Sequence, residues 1–217
     1  PVATNQLLTI SEANAPPQRT RRAPPRDRTP LLRDVTNEVG LGFAHRENHF
    51  VDFDREPFLP RMISTEGPLV TVGDVNRDGL DDFFIGGAKG QPSAVYVQRP
   101  DGTFRPANQQ LFAQDQIAED LGAAFLDADG NGTLDLYVAT GGTEFSAQAP
   151  ALEDRLYFGD GRGGFTKAAD RLPALFNSSS RVAVSREFVF VGGRAVPGRY
   201  GVDPSSTLLR RNANGRF

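Results

Sequence analysis

Oxygen-bearing side chains recur at alternate positions in two short segments of this chain. GDVNRDGLDDFFIGG (Gly73 to Gly87) carries Asp74, Asn76, Asp78 and Asp82 at positions 1, 3, 5 and 9 of a loop, and LDADGNGTLDLYVATGG (Leu126 to Gly142) carries Asp127, Asp129, Asn131 and Asp135 at the same positions. Position 6 is Gly79 in one and Gly132 in the other, and position 7, Leu80 or Thr133, can offer its backbone carbonyl. A set of this kind suits a hard cation. Calcium takes six to eight oxygens at about 2.3 to 2.6 Å, more than one carboxylate supplies, and a coiled loop with alternate side chains turned inward gathers them. Glycine permits the φ-positive bend in the middle. Three carboxylates a few Å apart also repel one another unless a cation stands among them. The two segments therefore predict two Ca2+ sites.

The plain alternative is a solvated Asp/Asn/Gly turn between strands. Recurrence of the whole ligand register argues against it. An EF-hand requires a bidentate Glu at position 12 and a following helix; that position holds Ile85 and Val138, inside strand-like runs. Thrombospondin-type calcium repeats depend on cysteine, and the chain has none.

Strands must position these loops, and the pattern supplies them in units. The ligands Asp74 and Asp127 stand 53 residues apart. A second marker, a Gly turn running into Phe, appears at DGTF (101–104), GRGGF (161–165) and NGRF (214–217), in step with the first. Between the markers, strands are expected near Leu69 to Val72, Phe83 to Ile85, Ala94 to Gln98 and Thr103 to Arg105, then near Gly122 to Leu126, Leu136 to Thr140, Arg155 to Phe158 and Gly164 to Lys167. Four strands per unit of this length predicts all-β propeller blades, about three of them, with repeats near 64–110, 118–170 and 180–217. The third unit keeps FVFVGG (188–193) and TLLRRNANGRF (207–217), but Ser180, Val182, Val184 and Phe188 occupy the ligand positions. A blade without calcium is expected there.

Composition sets the outer limits. At 217 residues the chain can bury a sizeable core. A net charge of −3, with no basic stripe interleaved with aromatics, argues against nucleic acid. The absence of cysteine removes disulfides, thiolate zinc sites and cysteine nucleophiles together. No run of about 18 apolar residues predicts a membrane span, and no signal peptide is visible. Residues 15–30, APPQRTRRAPPRDRTP, read as a solvated Pro/Arg-rich linker between a short head, 1–14, and the body, 31–217. The chain reads as a fragment of a longer protein, its last phrase being strand-like.

His45 and His49 in HRENH are spaced for one face of a helix, but no helix signal surrounds them and no third ligand is evident; a structural or turn-bonding role is expected.

VTNEVGLGFAHRENHFVDF (35–53), STEGPLVTVGDVNRDGLDDFFIGGAKGQ (64–91), EDRLYFGDGRGGF (153–165) and FVFVGGRAVPGRY (188–200) resemble the FG-GAP/VCBS repeat family, the propeller repeats also found in the integrin α subunit. They are most similar to bacterial proteins that join such repeats to an ASPIC/UnbV domain, relatives of cartilage acidic protein 1. The head, ATNQLLTISE (3–12), looks like the closing strands of an ASPIC/UnbV domain. The resemblance implies Ca2+ in both complete loops, an exported or surface-attached protein, and binding or adhesion to a protein or glycan. The alternatives are a polysaccharide-processing enzyme, whose acids would come from outside the loops (Glu66, Glu119, Asp120 or Glu144), and a purely structural scaffold.

Overall fold

The alternation of large apolar residues in this chain has a period of two, which sends successive side chains to opposite faces of a strand. In the computed structural model, which describes residues 32–212 and 216–217, that alternation builds three antiparallel sheets. Contacts divide the chain into Pro1–Asp34 and Val35–Phe217, and the sheets belong to the second unit. The expected head, 1–14, and linker, 15–30, lie outside the described residues.

The first sheet runs β1 (Val70–Gly73), β2 (Asp82–Ile85), β3 (Ala94–Gln98), β4 (Phe104–Ala107), each strand pairing with the next. The second repeats the meander with β5 (Glu119–Leu126), β6 (Asp135–Gly141), β7 (Arg155–Gly159) and β8 (Phe165–Lys167). The third holds β9 (Ser178–Val184), β10 (Phe188–Ala195) and β11 (Thr207–Arg210). The fold is all-β and blade-like, as the repeat pattern implies.

The middle sheet is buried on both faces. Leu136, Val138, Tyr157 and Phe165 pack against Val75, Phe84, Val95, Val97 and Phe112 on the side of the first sheet. Tyr137, Ala139 and Leu156, the intervening residues, pack against Val189, Val191 and Leu209 of the third. Every residue of β6 is buried as a result, and each large side chain so enclosed contributes about 1.5 to 3 kcal/mol. The first strands of the sheets are neighbours, β5 lying beside both β1 and β9. Gly122 lets β9 approach β5, since a Cβ there would stand 3.1 Å from Val182 Cγ2. The two outer sheets keep apolar residues in the open: Val70 and Val72 on β1, and Val184, Phe190 and Leu208 on the third sheet.

Three differences from the sequence reading matter. Two short helices, α1 (Asp52–Arg55) and α2 (Gln109–Ala113), and a 3-10 turn at Pro150–Leu152 give no periodic signal because each is about one turn long. Helix α2 nevertheless places Phe112 against Phe84 and Tyr157, ring centroids 5.6 and 5.3 Å apart. Strand β5 begins at Glu119 rather than Gly122, through a bulge at Leu121 that keeps the acidic pair Glu119 and Asp120 in the sheet. In the third sheet, Ser180, Val182 and Val184 are strand residues of β9 and Phe188 opens β10; a tight turn at 185–187, closed by Ser185 N–H donating to the Phe188 carbonyl at 2.9 Å, replaces the long loop.

Candidate metal centre

Both acidic segments connect the first two strands of a sheet. Gly73 pairs with Asp82 at one such end and Leu126 with Asp135 at the other, so the last ligand of each loop is also the first residue of β2 or β6. Asp82 and Asp135 are fully buried, and both are clamps. Asp82 Oδ2 accepts from Val75 N (3.0 Å) and Oδ1 from Gln98 N (2.8 Å). Asp135 Oδ2 accepts from Ala128 N (2.7 Å) and Oδ1 from Gly159 N (2.8 Å), tying the loop to β7.

The remaining ligands fold the loops on themselves. Asp127 accepts from Gly130 N and Gly132 N at 2.7 and 3.0 Å. Asp129 accepts from Asn131 N at 3.0 Å, and Asn131 Oδ1 from Thr133 N at 2.6 Å. The first loop repeats the scheme: Asp74 accepts from Asp78 N (3.2 Å) and Gly79 N (2.9 Å), Asn76 from Asp78 N (3.1 Å), and Asp78 from Leu80 N (2.9 Å). Gly79 and Gly132 take the positive φ, 85° and 81°, that position 6 calls for.

The loops differ in how far the carboxylates converge. Asp127, Asp129 and Asp135 bring ligand oxygens within 4.8 Å of one another, and among the described residues no other group of three acids or histidines does so. Two oxygens on one calcium ion are separated by at most about 5 Å, so the second loop fits such an ion. Its all-oxygen donors select hard cations over zinc or copper. Asp74, Asp78 and Asp82 stand farther apart. Burial pushes the Asp135 carboxyl up to about 6, with the charge on Asp129 adding to the effect and the hydrogen bonds from Gly159 and Ala128 opposing it. Burial also raises Asp82, and the charges of Asp78 and Asp74 act in the same direction. A cation would relieve both.

Arginines join neighbouring sheets at this end. Arg77 of the first loop donates to the Gly132 carbonyl of the second, and Arg211, just past β11, donates to the Ala128 carbonyl at 3.2 Å.

The acids outside the loops stand at the opposite end of the sheets. Glu119 faces Gly141 in the β5–β6 pairing. Asp120 is held by Arg155 and Ser93, Glu144 by Lys89 and Asn48, and Glu66 by Arg194. His45 and His49 lie in an irregular segment and share no helix face. His45 Nε2 is 2.8 Å from Glu47 Oε1. Sequence reasoning overlooked Glu47 and Lys89 in loops and Arg194 near the end of β10, because single charged residues carry no spacing signal.

Three antiparallel meanders side by side, two of them with an acidic loop between their first strands, define a propeller-like repeat module. A family model, the FG-GAP-like repeat, matches residues 74–138, a span that contains both acidic loops. No curated protein matches the chain. Among the described residues, no helix is long and apolar enough to cross a membrane.

Proposed function

We propose that this chain is a calcium-stabilised, non-enzymatic section of a β-propeller in an exported or surface-attached protein, presenting a face to a protein or glycan partner. The observation that carries the calcium reading is the convergence of Asp127, Asp129 and Asp135. Extracellular calcium modules bind at about 0.1 to 1 mM, a range that suits an extracellular or periplasmic home. The open apolar faces at Val70 and Val72, and at Phe190 and Leu208, favour further blades on either side. Residues 1–14 would then be the tail of a preceding domain. Calorimetric titration with CaCl2 is the test: saturable binding that Mg2+ does not reproduce supports the reading, and no heat of binding at millimolar calcium refutes it.

A polysaccharide-processing enzyme is the second reading, favoured by the gathering of Glu66, Glu119, Asp120 and Glu144 at one end and by a Glu119 carboxyl raised to about 8, chiefly by burial. Acid and base roles need two carboxyls open to substrate. Asp120, Glu144 and Glu66 are each tied to a cation, and Glu119 is 1% exposed. Binding is therefore the better account of that end. Hydrolysis or β-elimination of a polysaccharide, abolished by E119Q, would reverse this choice.

A further inference from the structure

Residues 56–63 and the connection from β10 to β11 are far apart in sequence, yet they are fastened together at two points. Glu56 Oε1 accepts from Tyr200 N at 2.6 Å, and Arg194 Nη2 donates to the Ile63 carbonyl at 2.8 Å. A pocket of about 260 Å³ lies between the two segments. Leu59, Ile63, Val196 and Val202 give it apolar walls, and its charged lining is Arg61, Arg194 and Arg199 against a single acid, Glu56. The ties across it form the pocket before a ligand arrives, which spares the cost of ordering it on binding. Two successive turns hold the backbone that carries Arg199: its N–H donates to the Val196 carbonyl at 3.0 Å, and its carbonyl accepts from Val202 N at 3.2 Å.

The arginines outnumber the acids that meet them. Arg61 Nη2 and Arg194 Nη2 share one oxygen, Glu66 Oε1, at 3.4 and 2.8 Å, and Glu66 itself is not a lining residue. Glu66 and Glu56 offset two of the three guanidinia and leave one positive charge at the pocket, in a chain whose net charge is −3. Arg194 Nη1 is buried with no acceptor. Burial holds the Arg194 pKa below its usual value, the Arg61 charge adding to the effect and Glu66, Glu119 and Asp52 opposing it. The Arg61 side chain is 73% exposed, and Arg199 is exposed and makes no ion pair among the described residues, so both are open to a ligand.

A guanidinium presents a planar fork that matches a carboxylate, and Arg61 and Arg194 already hold one between them. A single residual charge suits a monoanion better than a doubly charged phosphate. The apolar walls suit an aliphatic body better than a polar sugar ring, and the volume lies at the small end of ligand pockets. We propose that this pocket binds a small organic acid, a carboxylate on an aliphatic body such as a free branched-chain acid or the last residue of a peptide. Its head meets Arg61 and Arg199 beside Arg194, and its body lies on Leu59, Ile63, Val196 and Val202. The site goes beyond the calcium reading and stands without it.

The test is calorimetric titration of the whole chain, in about 1 mM CaCl2 to supply the loops, with 4-methylpentanoate, which stands for a free acid, and N-acetylleucine, which stands for a chain end. One-site saturable binding is expected, the tighter probe naming the source. N-acetylleucinamide, the same body without the charge, and galacturonate, the same charge on a polar ring, should bind about tenfold more weakly or less. Affinity should fall about tenfold or more in R199Q and in R61Q, as for loss of a charged hydrogen bond, and should drop as NaCl is raised. It should stay unchanged in R105Q, which removes an exposed arginine from β4. No saturable binding of either acid, or unchanged affinity in R199Q, overturns the proposal. So does binding of the amide, galacturonate or inorganic phosphate as tight as that of the better acid. Arg61 and Arg199 are exposed, so both variants should melt with the wild type; if R61Q does not, R199Q decides.

Discussion

Two substitutions in the second loop separate what an ion contributes from what the protein's own hydrogen bonds contribute. A site with a Kd of about 0.1 mM gains RT ln(1 + [Ca]/Kd), about 1.4 kcal/mol, at about 1 mM calcium. For a domain of this size, each kcal/mol moves Tm by about 2 to 4 °C, so the loop should add about 3 to 6 °C over EDTA. Asp127 is exposed and accepts two loop amides, a role the oxygen of an asparagine keeps in part. D127N should therefore melt with the wild type in EDTA and lose the calcium increment. Asp135 is fully buried and clamps Ala128 N and Gly159 N. D135N should lose the increment and also melt lower in EDTA, by about 1.5 to 3 kcal/mol for a charged acceptor removed. D74N, in the loop whose acids stand farther apart, should leave most of the increment intact. Circular dichroism melts with and without chelator read all four proteins. A wild-type Tm indifferent to EDTA, or a D127N protein with the full wild-type increment, refutes the reasoning.

Three further outcomes are expected. Tyr137 donates to Asp154 Oδ2 at 2.6 Å inside the middle sheet, so Y137F should cost about 1.5 to 3 kcal/mol in urea unfolding; a cost below about 0.5 kcal/mol would show the bond to be dispensable. Arg155 and Asp120 form an ion pair buried to 8% and 3% exposure, and R155A, which strands the Asp120 charge, should cost about 3 to 5 kcal/mol; the double variant R155M/D120L should recover most of it, and equal instability of the two would refute the pair's role. Glu119 has a folded-state pKa of about 8 against an ordinary 4.5, so its stability contribution is complete below pH 4.5 and is lost as pH rises from there through 8. At 1.36 kcal/mol per unit, E119Q should gain about 2 to 3 kcal/mol on the wild type between pH 5 and pH 7 in denaturant titrations, and a difference that does not vary with pH would refute the raised pKa.

The sheets were legible because their signal is local and repeated. Tyr137 and Val138 read as strand whichever face each covers, and a run such as LDLYVATGG, short and closed by Gly-Gly as DDFFIGG is, reads as strand rather than helix in both units. The loops were legible for the same reason, since all their ligands fall within nine consecutive positions. What escaped was everything assembled from distant segments. Asp52, buried at 1% exposure, joins Ile63, Ser64 and Thr143 and so fastens residues 52–64 onto the middle sheet. Nothing near Asp52 in sequence distinguishes it from a solvated helix-start acid. Glu119 and Asp120 fell outside the strand expected from Gly122 because an acidic pair disfavours a strand; the bulge at Leu121 and the Arg155 guanidinium, 35 residues on, make the arrangement tolerable. The finer difference between the two loops, a convergence of carboxylates to 4.8 Å in one of them, lies in side-chain placement that identical spacing cannot encode.

That difference has a consequence for how the sheets hold together. The second loop belongs to the sheet with neighbours on both faces, and each neighbour sends an arginine to one of its carbonyls, Arg77 to Gly132 and Arg211 to Ala128. The two carbonyls belong to residues that lie between the acidic residues on which an ion would rest. Without a cation, the three carboxylates repel and the loop must hold its shape by turning them onto its own amides. With one, the repulsion becomes attraction, and the carbonyls that face the two arginines are fixed in place. Calcium at this loop should therefore stiffen contacts to both neighbouring sheets, whereas calcium at the first loop can act on one side only. Amide hydrogen exchange across Leu126–Asp135, Arg77 and Arg211 measures this. Added calcium should slow exchange at all three in the wild type and at none in D127N, and protection confined to the loop would show that the arginines carry no coupling.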